Sequence, residues 1–179
     1  MVQYASLYND RIPYDSDRPF KGSNHMYLKR WDQLNRMQWV ETTNGLVPPN
    51  AVLVGYEEGR YPLFVGRANV MDSVAPGVVK PHQRACFVPW GGKSHKCSRY
   101  EVLCTPGTFV HIDSDNTLMR GTPAGISEQG EPLYIGRRLH EGSYISGKIQ
   151  RSWYFCYIPF KKKELELPVF GSEIFIVDS

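Results

Sequence analysis

Long hydrophobic runs are missing from this sequence. No segment approaches the roughly 20 consecutive apolar residues that a membrane-spanning helix needs. The N-terminus, Met-Val-Gln-Tyr-Ala-Ser-Leu-Tyr-Asn-Asp, holds an acid and no apolar stretch. Neither a transmembrane segment nor a secretory leader is expected, so the expected location is the cytoplasm, with release by a non-classical route as the alternative. An excess of either charge is missing too. Lys and Arg total 21 against 18 Asp and Glu, a net charge of +3, too small and too scattered to predict a nucleic-acid partner. The one basic run, Lys161-Lys162-Lys163, is followed at once by Glu164 and Glu166. It reads as a solvated loop or strand edge rather than a phosphate site.

Chemistry-bearing patterns are equally scarce. None of the four cysteines, Cys86, Cys97, Cys104 and Cys156, forms a Cys-x-x-Cys pair, which argues against zinc. A cytoplasmic chain keeps its thiols reduced by default, and Cys86 and Cys156, set among aromatic and branched residues, suit small buried hydrophobes. There is no nucleophile elbow and no metal-binding His-x-x-x-His, and Gly91-Gly92-Lys93 lacks the earlier glycine of a phosphate-cradling loop. His82, His95, His111 and His140 read as exposed loop or strand-edge residues. The expectation is a non-catalytic protein with no cofactor and no metal.

What the sequence does have is a repeat. Apolar residues at 41% and charged residues at 22% are ordinary for a globular chain. Shifting the chain by 70 residues, the step from Cys86 to Cys156, brings a series of identities into register. Gly55 falls on Gly125, Glu58 on Glu128, Pro62-Leu63 on Pro132-Leu133, Gly66-Arg67 on Gly136-Arg137, Ser73 on Ser143, Gly77 on Gly147, Pro89 on Pro159 and Lys93 on Lys163. Glu101 matches Glu173 after a two-residue insertion near Leu167-Pro168. Self-comparison of this kind precedes any other reading. It divides the chain into an N-terminal extension (1–38), a first repeat (39–108) and a second repeat (109–179) sharing one core.

The segments within each copy read as short strands. Ala51 to Gly55, Leu63 to Ala68, Cys86 to Trp90 and Tyr100 to Cys104 are rich in branched and aromatic residues and bounded by Gly and Pro. Glycines recur every eleven residues, at Gly55, Gly66, Gly77 and again at Gly125, Gly136, Gly147, a rhythm that suits turns or bulges tolerant of positive φ. The predicted fold class is all-β: two pseudo-symmetric antiparallel repeats packed as a β-sandwich, or as a barrel. In the extension, Tyr27, Leu28, Trp31, Leu34 and Met37 follow helical spacing over His25 to Gln38, with Ser23 or Asn24 as cap. A helix covering an open end of the fold and an arm exchanged with a partner chain both remain open.

Several short motifs in order point to a family. They are Trp39-Val40, Val47-Pro48 within Gly45 to Val52, Gly55-Tyr56-Glu57, Pro62-Leu63-Phe64-Val65-Gly66-Arg67-Ala68, Pro76-Gly77, Val88-Pro89-Trp90-Gly91-Gly92-Lys93 and Tyr100-Glu101-Val102-Leu103. The second copy repeats them more loosely, as in Pro132-Leu133-Tyr134-Ile135-Gly136-Arg137 and Ser146-Gly147-Lys148. From about residue 39 to 178 the chain resembles the DM-nine repeat family of animal proteins. That resemblance implies a mannose-binding lectin of β-sandwich architecture, dimeric or of higher order, with roles in pattern recognition, innate immunity or host–parasite contact.

The resemblance also implies two sugar-contacting slots, an acid after Gly-Tyr and the lysine of a Pro-Gly-Lys turn. Here Glu57 holds the acid slot of the first copy while Val78 replaces the lysine. In the second copy Ser127 replaces the acid and Lys148 holds the lysine slot. The halves are complementary. Either both sites are degraded, or one site straddles the pseudo-dyad and joins Glu57 to Lys148; the second is the working expectation. Secondary candidates are Tyr56, Glu58, Ser127 and Glu128. A carboxylate accepts from two sugar hydroxyls while an ammonium donates, and Tyr56, Tyr61, Trp90 or Tyr144 is available to cover a pyranose C–H face. Arg67 with Arg137, Glu58 with Glu128, and Lys93 with Lys163 recur in both copies and read as architectural, for instance as strand-end ion pairs. The expected partners are mannose-containing glycans and further copies of the chain. Two other functions stay in view: a hydrolase, which no motif supports, and an intracellular self-associating or vesicle-bound scaffold whose sugar site has decayed.

Overall fold

The computed structural model describes residues 37–179. The helical spacing noted over His25 to Gln38 and its caps fall almost entirely outside the described residues. Each half supplies seven strands. In the first half they are β1 (Trp39–Thr43), β2 (Leu53–Glu57), β3 (Tyr61–Val70), β4 (Ser73–Lys80), β5 (Ala85–Trp90), β6 (Lys93–Cys97) and β7 (Arg99–Leu103). In the second they are β8 (Gly107–His111), β9 (Pro123–Ile126), β10 (Pro132–His140), β11 (Ser143–Gln150), β12 (Phe155–Phe160), β13 (Lys163–Pro168) and β14 (Glu173–Val177). One helical turn, α1 (Asp115–Leu118), lies between β8 and β9. Strand β8 begins at Gly107, so it straddles the 108/109 boundary drawn by self-comparison.

The all-β class holds, but the strands close into a barrel instead of stacking as a two-sheet sandwich. All pairings are antiparallel within one 14-stranded sheet. Its closed part has eight strands, running β4-β5-β6-β13-β12-β11-β10-β9 and back to β4. The closure comes from β9, which pairs with β10 through Leu133 and Gly125 and with β4 through Val74 and Ile126. At the other seam β6 meets β13 at a single pair, Lys93 opposite Lys163. Two hydrogen bonds flank it: the Ser94 N–H donates to the Lys162 carbonyl at 3.2 Å, and the Glu164 N–H to the Gly92 carbonyl at 3.1 Å. These bonds are related by the 70-residue shift, so the pseudo-twofold axis passes between the two lysines. Strands β3, β7 and β1 extend the sheet beyond β4, and β14 and β8 extend it beyond β10.

One core serves both halves. Val54, Leu63, Val65 and Val78 of the first pack with Ile135, Ile145, Ile149 and Ile158 of the second. The two recurrent arginines stitch the halves together. Arg67, fully buried, pairs with Glu101 directly across the β3–β7 ladder at 2.8 Å and donates to the Ala124 carbonyl of the other half at 3.1 Å. Arg137 pairs with Glu173 across β10–β14 and donates to the Val54 carbonyl at 2.8 Å. Each guanidinium also lies over a ring, Trp39 at 4.0 Å and Phe109 at 4.3 Å. In these clamps Arg67, Glu101 and Arg137 lie mid-strand, while Glu173 is the first residue of β14. Planar guanidinium suits the task because it stacks and donates in several directions at once.

The eleven-residue glycine rhythm has a different cause from the one expected. None of those six glycines has positive φ. Gly66 faces Gly77, and Gly136 faces Gly147, across adjacent strands. A Cβ on Gly77 would lie 2.1 Å from the Phe87 carbonyl oxygen, and one on Gly147 would lie 1.9 Å from that of Tyr157. At Gly77, Gly125 and Gly147 a neighbouring carbonyl lies too close for a side chain, whereas at Gly66 and Gly136 the space is taken by Val79 and Cys86, and by Ile149 and Cys156. Only Gly55 and Gly125 sit beside irregularities in strand register.

Candidate functional site

A cavity of about 600 Å³ opens between the halves, against the second repeat. Its wall is made by Ser127, Glu128, Gln129 and Glu131 from the β9–β10 turn, Lys148 and Gln150 from β11, Trp153 and Tyr157 from the turn into β12 and β12 itself, and Glu164 from β13. Ser73, Trp90 and Gly91 come across from the first repeat. Strand alternation explains the set. Lys148 lies opposite Tyr157 on β12, so ammonium and ring share a face and stand 5.1 Å apart. Hairpin β12–β13 then carries Glu164 to within 3.1 Å of the Lys148 Nζ.

The site is acidic with one buried cation. The Trp90 indole N–H donates to Glu128 Oε2 at 3.1 Å. Burial alone would raise the Glu128 carboxyl; its own backbone N–H, the Trp90 and Gln129 side chains and the Lys148 charge together outweigh burial and hold it below 4.5. Glu131 accepts from Gln150 at 2.8 Å and from the Ser152 N–H and hydroxyl at 3.0 and 2.8 Å. Ser127 is nearly buried and closes the β9–β10 turn, its hydroxyl accepting from the Glu131 N–H at 3.0 Å. Burial, followed by the charges of Glu166, Glu164 and Glu131, pushes the Tyr157 phenol up to about 12. Glu164 Oε1 accepts from the Gly92 N–H at 3.3 Å. Its Oε2 is buried and, although ion-paired with Lys148, accepts no aligned hydrogen bond. Trp153 stands 65% exposed at the cavity and offers a bare ring face.

The structure does not bring Glu57 and Lys148 together. Strands β2 and β4 flank β3 in the same half, so Glu57 at the end of β2 meets Lys80 at the end of β4, at 2.5 Å. Its other oxygen lies 2.6 Å from His82 Nε2 and 3.3 Å from the Gln83 amide. Burial raises this carboxyl, but the Lys80 and His82 bonds and charges outweigh it and hold it below 4.5. Tyr61 stacks on His82 at 4.3 Å. The acid slot of the first half is thus filled by its own side chains, and Glu57 does not line the cavity. Glu58 is exposed beside Arg60, and Tyr56 is half exposed. Tyr144 lies under the Arg137 guanidinium at 4.3 Å.

Of the sequence candidates, Lys148, Ser127, Glu128 and Trp90 converge on the cavity, and Glu57, Glu58 and Tyr56 do not. Glu131, Trp153, Tyr157 and Glu164 were missed. In the sequence Glu164 stands out only as an acid following the lysine run, and Trp153, whose repeat counterpart is Gln83, carries no signal from the repeat. Among the described residues no group of three or more His, Cys, Asp or Glu is placed to hold a metal ion.

A closed all-β barrel formed from two copies of one strand succession, with a polar cavity at their junction, defines the class of protein. The DM9 repeat model matches residues 16–73 and 57–167, and the chain belongs to the DM9 repeat family. Among solved structures it is similar to the nematode sperm cell motility protein MFP2B, with a TM-score of 0.59 and 14% identity. That likeness covers 78% of this chain and 46% of the other, so this chain spans less than half of that protein. At this identity it concerns the fold alone. None of the curated proteins matches.

Proposed function

We propose that the chain is a non-catalytic carbohydrate-binding protein that takes a mannose-type glycan in the cavity between its repeats. The observation that carries this reading is the cavity wall, where the Lys148 ammonium, the Glu128 carboxylate, the Gln150 amide and the exposed Trp153 ring come together. A vicinal diol suits this wall, one hydroxyl donating to the Glu128 carboxylate and a neighbouring oxygen accepting from the Lys148 ammonium. Trp153 covers the apolar ring face, and Glu128 and Gln150 stand within the same wall. Mannose is favoured by family resemblance, because Lys148 occupies the lysine slot. A single shallow sugar site binds weakly, so effective capture of a polymannose surface rests on several copies of the chain acting together.

The test is mannan binding by Lys148→Ala, Glu164→Gln and Trp153→Ala. Each is expected to lower affinity by about tenfold or more, equivalent to about 1.4 kcal/mol. Unchanged binding in all three contradicts the reading. A second reading, a self-associating scaffold without sugar binding, draws support from the split of the two slots, with Val78 in place of the lysine in the first copy and Ser127 in place of the acid in the second. It predicts a glycan array blank for mannosylated ligands beside concentration-dependent assembly.

A further inference from the structure

A residue on a pseudo-twofold axis meets its own repeat counterpart, and here that residue is lysine. Lys93 and Lys163 are direct partners across the β6–β13 seam, and both are exposed. The adjoining β12–β13 turn adds Lys161 and Lys162, also exposed. Among the described residues, none of the four has a carboxylate within ion-pair distance. Like charges directly opposite on paired strands repel, so the Lys93–Lys163 pair favours an anion at the seam; Lys161 lies in the adjoining turn with its ammonium 5.2 Å over the Phe160 ring. As a sequence, Lys161-Lys162-Lys163 read as a solvated edge; the barrel supplies Lys93 from the other half.

The seam adjoins the cavity. Gly91, in the turn leading to Lys93, and Glu164, the residue after Lys163, both line it. Side chains on Gly91 or Gly92 would meet nothing within 4 Å, so bare backbone lies between the seam and the opening. The cavity itself holds Glu128, Glu131 and Glu164 against Lys148 alone, a field that repels an anion from the interior and leaves the lysines to attract it. We infer that the preferred ligand is a saccharide bearing a sulfate or phosphate ester, its neutral ring in the cavity and its ester on Lys93, Lys161, Lys162 and Lys163. This rests on the cavity being a sugar site.

The test compares plain mannan, sulfated mannan and phosphorylated mannan over a salt series, using the whole chain. The wild type is expected to bind one of the esterified polymers about tenfold more tightly than plain mannan at low salt, with the advantage shrinking as salt rises. Which polymer is preferred tells sulfate from phosphate. Replacing all four lysines by glutamine is expected to erase the advantage, with circular dichroism reporting that the fold is kept. Equal affinity for plain and esterified mannans overturns the inference, as does a preference that survives the four replacements. So does lysine-dependent binding to acidic phospholipid vesicles without preference for either esterified mannan. Loss of binding to all three mannans in Lys148→Ala, with the ester preference intact in the four-glutamine variant, sinks this inference alone. Unchanged mannan binding in Lys148→Ala, Glu164→Gln and Trp153→Ala instead sinks the sugar reading beneath it.

Discussion

At the scale of single residues, the two halves use equivalent slots for opposite ends. Glu57 is satisfied internally by Lys80 and His82, whereas its counterpart Ser127 is turned into a turn-closing hydroxyl and leaves space in front of it. The Glu57 carboxyl is held below 4.5 in the folded chain, so its contribution to stability is present above 4.5 and is lost as pH falls through the depressed value. Glu57→Gln is therefore expected to cost about 1 kcal/mol or less at pH 7, as a partly exposed pair should. It should also flatten the acid limb of stability measured by urea unfolding at a series of pH values. An acid limb parallel to that of the parent contradicts the assignment. Tyr157 gives a spectroscopic marker in the cavity. A tyrosine ionising at about 12 is expected in alkaline difference absorbance and should vanish in Tyr157→Phe. Lys148, Ser127 and Glu128 could be named from sequence because the repeat and the family resemblance mark their slots. Glu164 and Trp153 could not, since their role depends on how the β12–β13 hairpin and the turn before β12 are placed against the second half's other strands, and nothing local encodes that.

Strand succession was legible from composition and self-comparison, because branched and aromatic runs bounded by Gly and Pro, and a 70-residue shift, can be read along the chain itself. The closure was not. It depends on β9 reaching β4 and on one pair at the β6–β13 seam, and neither leaves a trace in any single segment. The glycine rhythm shows the same limit: its spacing is readable, but its cause is the approach of one strand to another. Gly147→Ala is expected to destabilise by about 3 kcal/mol or more, at or above the upper range of overpacking, because a carbonyl 1.9 Å away cannot rotate aside. A loss below 1 kcal/mol in denaturant melts, about the size of an ordinary surface change, contradicts the close approach. The recurrence of the two arginines marks them as architectural, and one of their pairs, Arg137–Glu173, sits at the start of β14. Arg67→Ala leaves Glu101 without its partner and the Ala124 carbonyl without this donor, and removing one partner of a buried pair costs about 3–5 kcal/mol. Arg67→Met, which refills the volume, is expected to recover part of that loss. Equal stability of parent and Arg67→Ala contradicts the clamp.

At the scale of the molecule, duplication explains both the barrel and its asymmetry. Two equivalent strand sets meet about a pseudo-dyad, share one core and exchange arginine contacts. Divergence then fills one junction with a salt-bridged cluster and leaves a cavity at the other. Recognition of a glycan is proposed for that cavity, and the most direct measurement is a nuclear magnetic resonance titration of the chain with a mannose oligosaccharide, following the tryptophan indole N–H signals. The account predicts progressive, saturable shifts of the Trp90 and Trp153 indoles, with the backbone around Glu57, Tyr61 and His82 unmoved. Shifts confined to the Glu57 cluster, or no shift at any concentration that saturates mannan binding, would contradict it.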